Sequence, residues 1–366
     1  MKNFIAGTYM SQKTYKSFQP ECINKSWVIE NMELFSMLSQ ADRQLGRLDM
    51  YSEYISNIDL FISMHVLKEA TQSSKIEGTK TNIEDALLDR EDVAIEKRND
   101  WDEVKNYITA LNEAIDSLKN LPFSSRLIRD AHKTLLKGVR GRHKQPGLFR
   151  TSQNWIGGAT LADAIFIPPV FSTIPELMSD IEKFAHNDEI YFPDLLKIAL
   201  IHYQFETIHP FLDGNGRVGR LLITLYLVEK GILKRPILYL SDFFERNRTL
   251  YYDNLTRVRE KNDINQWFKF FLVGIIETTK NGIETFDKIL KLKNEIETTI
   301  QRLGSRSIAA LKIMEYLYEK PMIVTSKVIE ITKLSAPTAY KLIAEMEELG
   351  IVKEITGGKR KKICFR

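Results

Sequence analysis

The stretch His209–Arg220, HPFLDGNGRVGR, decides how the rest of the chain is read. Pro210 pushes the residue before it out of the right-handed helical region. A helix arriving through DLLKIALIHYQFETI (194–208) must therefore end at His209 and leave an imidazole at the lip of a loop. Gly214 and Gly216 permit backbone conformations that aim successive N–H groups at one point. The run RLLITLYLVEKG (220–231) is apolar nearly all round, so it reads as a buried helix whose N-terminal dipole adds to that point. The result is an anion cradle. Arg217 and Arg220, three apart on the first turn, share a face and can fork onto phosphate oxygens. Asp213 offers a hard oxygen suited to Mg²⁺, and His209 is the group able to take a proton near neutral pH.

Two other readings of the loop fail on spacing. An EF-hand beginning at Asp213 would place Arg217 at its fifth position, Val218 where glycine belongs, and Thr224 in place of the final glutamate. A zinc site built on His202 and His209 lacks further ligands at suitable spacing.

Outward from the loop, residues 30–300 read mostly as helices. IENMELFSMLSQADRQLGRL (29–48) and WDEVKNYITALNEAIDSL (101–118) repeat apolar residues at three and four. SSRLIRDAHKTLLKGV (124–139) opens on hydroxyl caps and runs into Gly138. IETFDKILKLKNEIETTIQRLG (283–304) carries one apolar stripe and reads as a spacer helix. The helical pattern breaks at NWIGGATLADAIFIPP (154–169). There, two short β-prone runs surround Gly157-Gly158, and Pro168-Pro169 forbids helix, so a hairpin-like flap is expected.

The 366 residues suffice for two or three domains, and 43% hydrophobic with 27% charged residues is ordinary for a globular protein. Only Cys22 and Cys364 are present, which argues against a disulfide framework. No apolar run has signal-peptide character or approaches bilayer thickness, so a cytoplasmic protein without membrane contact is expected. Charge is uneven. Residues 305–366 hold 12 Lys/Arg against 7 Asp/Glu, whereas 1–304 hold 40 against 41. In that basic tail, TSKVIEITK, a Leu334-Ser335 turn and APTAYKLIAEMEELG, closing on Gly350, resemble a helix-turn-helix. IVKEITGGKRKKICF then forms two strands around Gly357-Gly358, with Lys359–Lys362 on a wing. The charge favours phosphate contact, while Glu345, Glu347 and Glu348 oppose it; a DNA partner and a protein partner both stay open.

A second motif goes against local preference. KEATQSSKIEGTKTN (68–82) ends a helix at Gly78, yet Glu77 sits in the last turn, where the dipole favours a cation. An electrostatic partner elsewhere would explain it.

At every constrained position, 209–220 resembles the signature of the Fic family, His-x-Phe-x-Asp/Glu-Gly-Asn-Gly-Arg-x-x-Arg. The similarity runs from about LGRLDMYSEYI (45–55) through FFERNRTLYYDNLTRVRE (243–260). The resemblance implies a mainly α fold: a Fic-type helical core with a small β-hairpin flap, plus a C-terminal winged helix. The domains would be an N-terminal helical region at 1–110, a catalytic core at 111–300 and the winged helix at 305–366. It further implies AMP transfer from Mg-ATP to Ser, Thr or Tyr hydroxyls of a target protein, with self-labelling and a homodimer. His209 would be the base and Asp213 the metal ligand. Gly214, Asn215, Gly216, Arg217, Val218, Gly219 and Arg220 would form the ATP-binding stretch, with Phe211 anchoring the loop in the core. Tyr251 and Tyr252 are candidates for the base pocket. Trp155, Ile156, Gly157 and Gly158 would belong to a flap that receives the target as an added strand. Ser73, Glu77 and Gly78 match the family's inhibitory pattern Ser/Thr-x-x-x-Glu-Gly/Asn, in which Glu77 would pair with Arg220. AMP removal, transfer of another phosphate-linked group, and a DNA-binding regulator with an ATP-responsive core are the alternatives.

Overall fold

The computed structural model describes residues 1–54, 58–319, 322–354 and 362–365. The chain divides into two compact units, Met1–Ser52 with His65–Lys280, and Glu53–Met64 with Asn281–Arg366.

The first unit is built around two helices, α7 (Asp194–Ile208) and α8 (Asn215–Glu229). Their sequences carry apolar residues on every side, and every α7 residue from Leu195 to Ile208 is buried. Around them pack α4 (Arg98–Ser117), α5 (Ser125–Leu135) and α6 (Ile174–His186), each with a single apolar stripe turned inward. The Ser124 hydroxyl caps α5 by accepting the Leu127 N–H, as the hydroxyl signal predicts. Before α4 come α1 (Met32–Tyr54), α2 (Ile58–Ile76) and the short α3 (Ile83–Leu87). After α8 come α9 (Ser241–Arg246), α10 (Arg248–Lys261) and α11 (Ile264–Gln301). The expected spacer helix is the later part of α11, which begins much earlier because Trp267, Phe268 and Phe271 bury into the first unit.

The N-terminus holds a feature the sequence did not signal. An antiparallel hairpin of β1 (Gly7–Ser11) and β2 (Lys16–Pro20) pairs Gly7 with Pro20. Its Phe18 N–H donates to Ile167 O at 2.9 Å, joining the hairpin to the flap. The flap itself closes with one antiparallel bridge, Ile156 to Phe166. Pairing stops there because Gly157 and Gly158 both take positive φ and the Asp163 carboxylate folds back onto the Ala159 and Thr160 N–H groups. A bond from the Thr160 hydroxyl foremost, then those from the two N–H groups, hold the Asp163 pKa down to about 2.

The second unit contains α12 (Ser307–Glu319), β3 (Met322–Val324), α13 (Thr325–Thr332), α14 (Ala336–Glu348), β4 (Val352–Glu354) and β5 (Lys362–Phe365). The strands form an antiparallel sheet in the order β3-β5-β4. Both expected strands are present, and β3 is added. Ile313, Met314, Leu317, Val328, Leu342 and Met346 form its core. The Gly357-Gly358 turn and Lys359–Lys361 of the expected wing lie outside the described residues. Among the described residues no helix is long and apolar enough to cross a membrane.

Candidate active site

α7 stops where Pro210 requires. His209 is its C-cap, in the left-handed conformation at φ 50° and ψ 60°. A β-carbon-bearing residue rarely occupies that region, so the surrounding structure must hold it there. Arg150 does much of the holding. It is almost fully buried, and it donates to the carbonyls of Ile208, His209, Ser152 and Pro169. A cation on the last carbonyls of a helix also meets the negative end of its dipole. Asn154 adds bonds from its amide to His209 O and to Phe211 O at 2.9 Å. The flap's first residue thus secures the loop as well.

Phe211 anchors the loop from within. It is fully buried and stacks on the His132 ring at 3.7 Å between centroids. The Gly147 N–H donates to His132 Nδ1 at 2.8 Å, so Nε2 carries the proton and donates to Asp213 O at 3.0 Å. Burial lowers the His132 pKa to about 4, which keeps this neutral tautomer near pH 7. Asn215 closes the loop reciprocally: its Oδ1 accepts the Phe211 N–H, and its Nδ2 donates to Phe211 O, both at 2.8 Å. The Asn215 amide therefore shapes the cradle, and neither of its ends points free.

Gly214 is the N-cap of α8 at φ 79°, a conformation that suits glycine. The first N–H groups of α8 have no intrahelical acceptor, and Arg217 Nε is buried without a partner. Donors with no acceptor at a helix start are what an anion needs. The Asp213 carboxylate lies at this rim, and its Oδ1 accepts the Gly214 N–H at 2.6 Å. Among the described residues no cluster of three or more acidic, His or Cys ligands could hold a metal by itself. A Mg²⁺ ion fits this lone carboxylate only if phosphate oxygens and waters complete its shell, as is usual for Mg²⁺ beside a nucleotide.

The His209 side chain is half-buried, and its Nδ1 is buried with no hydrogen-bond partner. Burial foremost, then the Arg150 charge, lowers its pKa to about 4, so the ring is neutral and able to accept a proton. Three residues back on α7, Glu206 is buried beside Gly219, where an added Cβ would overlap its Oε1. Burial raises the Glu206 pKa to about 7.

The inhibitory motif reaches the cradle. α2 ends at Ile76, and Gly78 follows at φ 99°. Glu77 Oε1 accepts from Arg220 Nη2 at 2.7 Å. Arg220 also donates to the Ser73 hydroxyl and the Ser73 carbonyl, each at 2.9 Å. Burial pushes the Glu77 carboxyl up, but the Arg220 guanidinium outweighs it and holds the pKa below the ordinary range. A Cβ at Gly216 would overlap Glu77 Oε1, so the carboxylate occupies the space that this glycine leaves open. Arg217 Nη1 lies 3.3 Å from Glu103 Oε2 and its Nη2 3.6 Å from Asp213 Oδ1.

Thus His209, Asp213, Gly214, Gly216, Arg217, Arg220, Ser73 and Glu77 converge on the start of α8. Val218 is buried in the core, and the Gly219 carbonyl lies 2.8 Å from His202 Nδ1. Trp155 and Ile165 of the flap are exposed. Tyr251 is buried, with its hydroxyl 2.9 Å from His202 Nε2 and its ring stacked on Phe244 at 4.6 Å. Tyr252 is partly exposed beside it. Sequence reasoning missed His132, Arg150, Glu103 and Glu206. Only the unusual density of polar residues in otherwise apolar helices could have flagged the last two.

A buried pair of helices, α7 and α8, joined by a short loop that carries an imidazole at one helix end and unpaired N–H donors at the next helix start, defines the architectural class. Two family models match the chain, "Fic/DOC family N-terminal" over residues 35–116 and "Fic/DOC family" over 122–227. The chain belongs to the Fic/DOC family. A curated relative, the probable protein adenylyltransferase of Aquifex aeolicus, is 26% identical over 242 residues, covering 64% of this chain and 70% of that protein. The protein adenylyltransferase Fic of Aedes aegypti is 32% identical over 125 residues, which is 34% of this chain but only 22% of the relative. Among solved structures, a Fic family protein from Desulfovibrio desulfuricans aligns over 93% of this chain and 98% of its own, with TM-score 0.61 and 17% identity. Fic-1 of C. elegans aligns over 70% and 74% with TM-score 0.55 and 19% identity, a likeness of fold.

Proposed function

We propose that this protein is a nucleotidyltransferase that moves AMP from Mg-ATP to a hydroxyl side chain of a protein target, and that Glu77 holds it in check. The observation that carries the reading is the position of the Glu77 carboxylate, 2.7 Å from Arg220 and in the space over Gly216. An anion already sits where the cradle would receive a phosphate.

The chemistry is mainly placement and charge stabilisation. The free N–H groups of α8 and the unpaired Arg217 Nε receive phosphate oxygens. Asp213 would hold a Mg²⁺, which when bound neutralises charge on the phosphates. The neutral His209 ring accepts the proton of the incoming Ser, Thr or Tyr hydroxyl. The hydroxyl oxygen forms a bond to the α-phosphorus, the α–β bridging bond breaks, and pyrophosphate leaves. The flap, exposing Trp155 and Ile165, receives an extended target segment. With Glu77 on Arg220, that arginine is withheld from the terminal phosphate and the triphosphate cannot seat productively.

The test is incubation of the parent and Glu77→Gly proteins with ATP labelled at the α- or the γ-phosphate. Label from the α position alone should enter protein, and more of it with Glu77→Gly. Label entering only from the γ position would sink the reading.

The C-terminal unit supports a second reading, contact with duplex DNA. The exposed residues at the start of α14, Ser335, Ala336, Pro337, Tyr340 and Lys341, include no acid. Of the three opposing glutamates, Glu345 is paired with Arg306. Salt-dependent retention on duplex DNA, lost in Lys341→Glu, is expected; retention unchanged by that substitution would remove the reading.

A further inference from the structure

Arg140 lies on the loop after α5 and is more than half exposed, yet its Nε and Nη2 are both engaged. Its Nε donates to Glu103 Oε1 at 2.7 Å, and its Nη2 donates to Asp100 Oδ1 at 2.6 Å. Asp100 and Glu103 are three apart at the start of α4, so they share a face. Each has a second oxygen committed elsewhere. Glu103 Oε2 lies 3.3 Å from Nη1 of Arg217 in the cradle. Asp100 Oδ2 accepts the Lys80 N–H at 2.7 Å, three residues beyond Glu77. Next to Arg140, a Cβ at Gly141 would overlap Asp213 Oδ2, so this loop lies directly on the proposed metal carboxylate.

We propose that Asp100, Arg140 and Glu103 form a clamp that positions the phosphate-binding arginine Arg217 at one end and the turn carrying Glu77 at the other. The physical case begins with Glu103, which is almost fully buried. A buried carboxylate must be paired, and two guanidinium groups supply the pairing. One is Arg217, whose orientation it fixes, while the other is anchored on a surface loop. Holding Arg217 in place before nucleotide arrives removes the entropy of ordering a long side chain on binding. At the other end, the Asp100–Lys80 bond fixes the backbone just past Gly78 and so limits how far Glu77 can swing from Arg220.

This inference rests on the nucleotide reading above, and it predicts two separable effects. The measurement is titration calorimetry of the full chain with the non-transferable analogue α,β-methylene-ATP and Mg²⁺, in a Glu77→Gly background. Glu103→Gln and Arg140→Ala should each raise Kd roughly tenfold or more, with partial recovery in Arg140→Lys, as expected for loss of charge-assisted contacts. Under turnover, KM for ATP should rise by a similar factor while kcat at saturating ATP stays within about twofold. Asp100→Asn, which weakens both the hold on Arg140 and the bond to Lys80, should raise that Kd by less than Arg140→Ala does and raise AMP transfer when Glu77 is present; transfer at the parental rate would overturn the Glu77 end of the clamp. Melting temperatures separate positioning from folding, and Arg140→Ala keeps the test available should Glu103→Gln not fold. No binding to the Glu77→Gly protein itself overturns the nucleotide reading and the clamp with it. Binding with the same Kd in both Arg140→Ala and Glu103→Gln overturns the clamp alone.

Discussion

Glu77 and Arg220, 143 residues apart in sequence, meet at 2.7 Å over the first turn of α8. The arginine side chain is 1% exposed and the glutamate 35%, so the contact is reachable by water from one side only. Releasing it would leave Arg220 buried with, among the described residues, the Ser73 oxygens as acceptors. Glu77→Gly should therefore increase AMP transfer at least about tenfold while lowering stability by roughly 1–3 kcal/mol, less than a fully buried pair because Glu77 is partly solvated. Labelling and a denaturant melt on the same preparation check both signs. Arg220→Ala should abolish transfer in either background.

His209→Ala should slow transfer by roughly 10²–10⁴-fold. The pH profile gives a sharper test. As the proposed base, His209 must be neutral to act, and its pKa, lowered to about 4, leaves about 1% of it protonated at pH 6. Its contribution to kcat/KM should then be flat from pH 6 upward, with no acidic break at the ordinary histidine value of 6.5. Glu77 raises the His209 pKa through its charge, so loss of that charge by itself moves the break downward. An imidazole break near 6.5 in the residual transfer of the parent protein would contradict the desolvated Nδ1.

Gly219 has no side chain because Glu206 needs its space. Gly219→Ala should destabilise the protein by roughly 1–3 kcal/mol, since the new Cβ would overlap Glu206 Oε1 and press on Phe205 at 3.1 Å. Because Gly219 is helical, alanine is otherwise favoured there. Glu206→Ala should recover most of that loss, and a double-mutant cycle in urea measures the coupling. Additive effects would mean that the two sites do not share space.

Arg150 collects four carbonyls, two from the end of α7, one from Ser152 just before the flap and one from Pro169 at its end. Lysine lacks the fork that does this. Arg150→Lys should cost roughly 2–4 kcal/mol in stability, through buried acceptors left unpaired. In the Glu77→Gly background it should also reduce transfer to a protein acceptor more than ATP binding, because the flap loses its tether. Calorimetry and labelling together check the difference.

Much of this protein is determined locally. Pro210 ends a helix at His209, two glycines open a helix start, and an all-round apolar run buries that start, because these depend on φ/ψ limits and on period 3.6. The anomaly of Glu77 at the wrong end of a helix was visible for the same reason: a dipole is a property of one segment. Tertiary structure alone decided which groups satisfy one another. The β1–β2 hairpin was hidden because its five-residue strands carry no strong alternation and gain stability from the flap they adjoin. The family resemblance implies a phosphate role for Asn215, and folding commits its amide to the Phe211 backbone, a partner that only the tertiary structure shows. Arg150, His132 and the chain from Lys80 through Asp100, Arg140 and Glu103 to Arg217 come from elements far apart in sequence. No periodicity reports them, since burial sets the demand for a partner and only packing determines who supplies it.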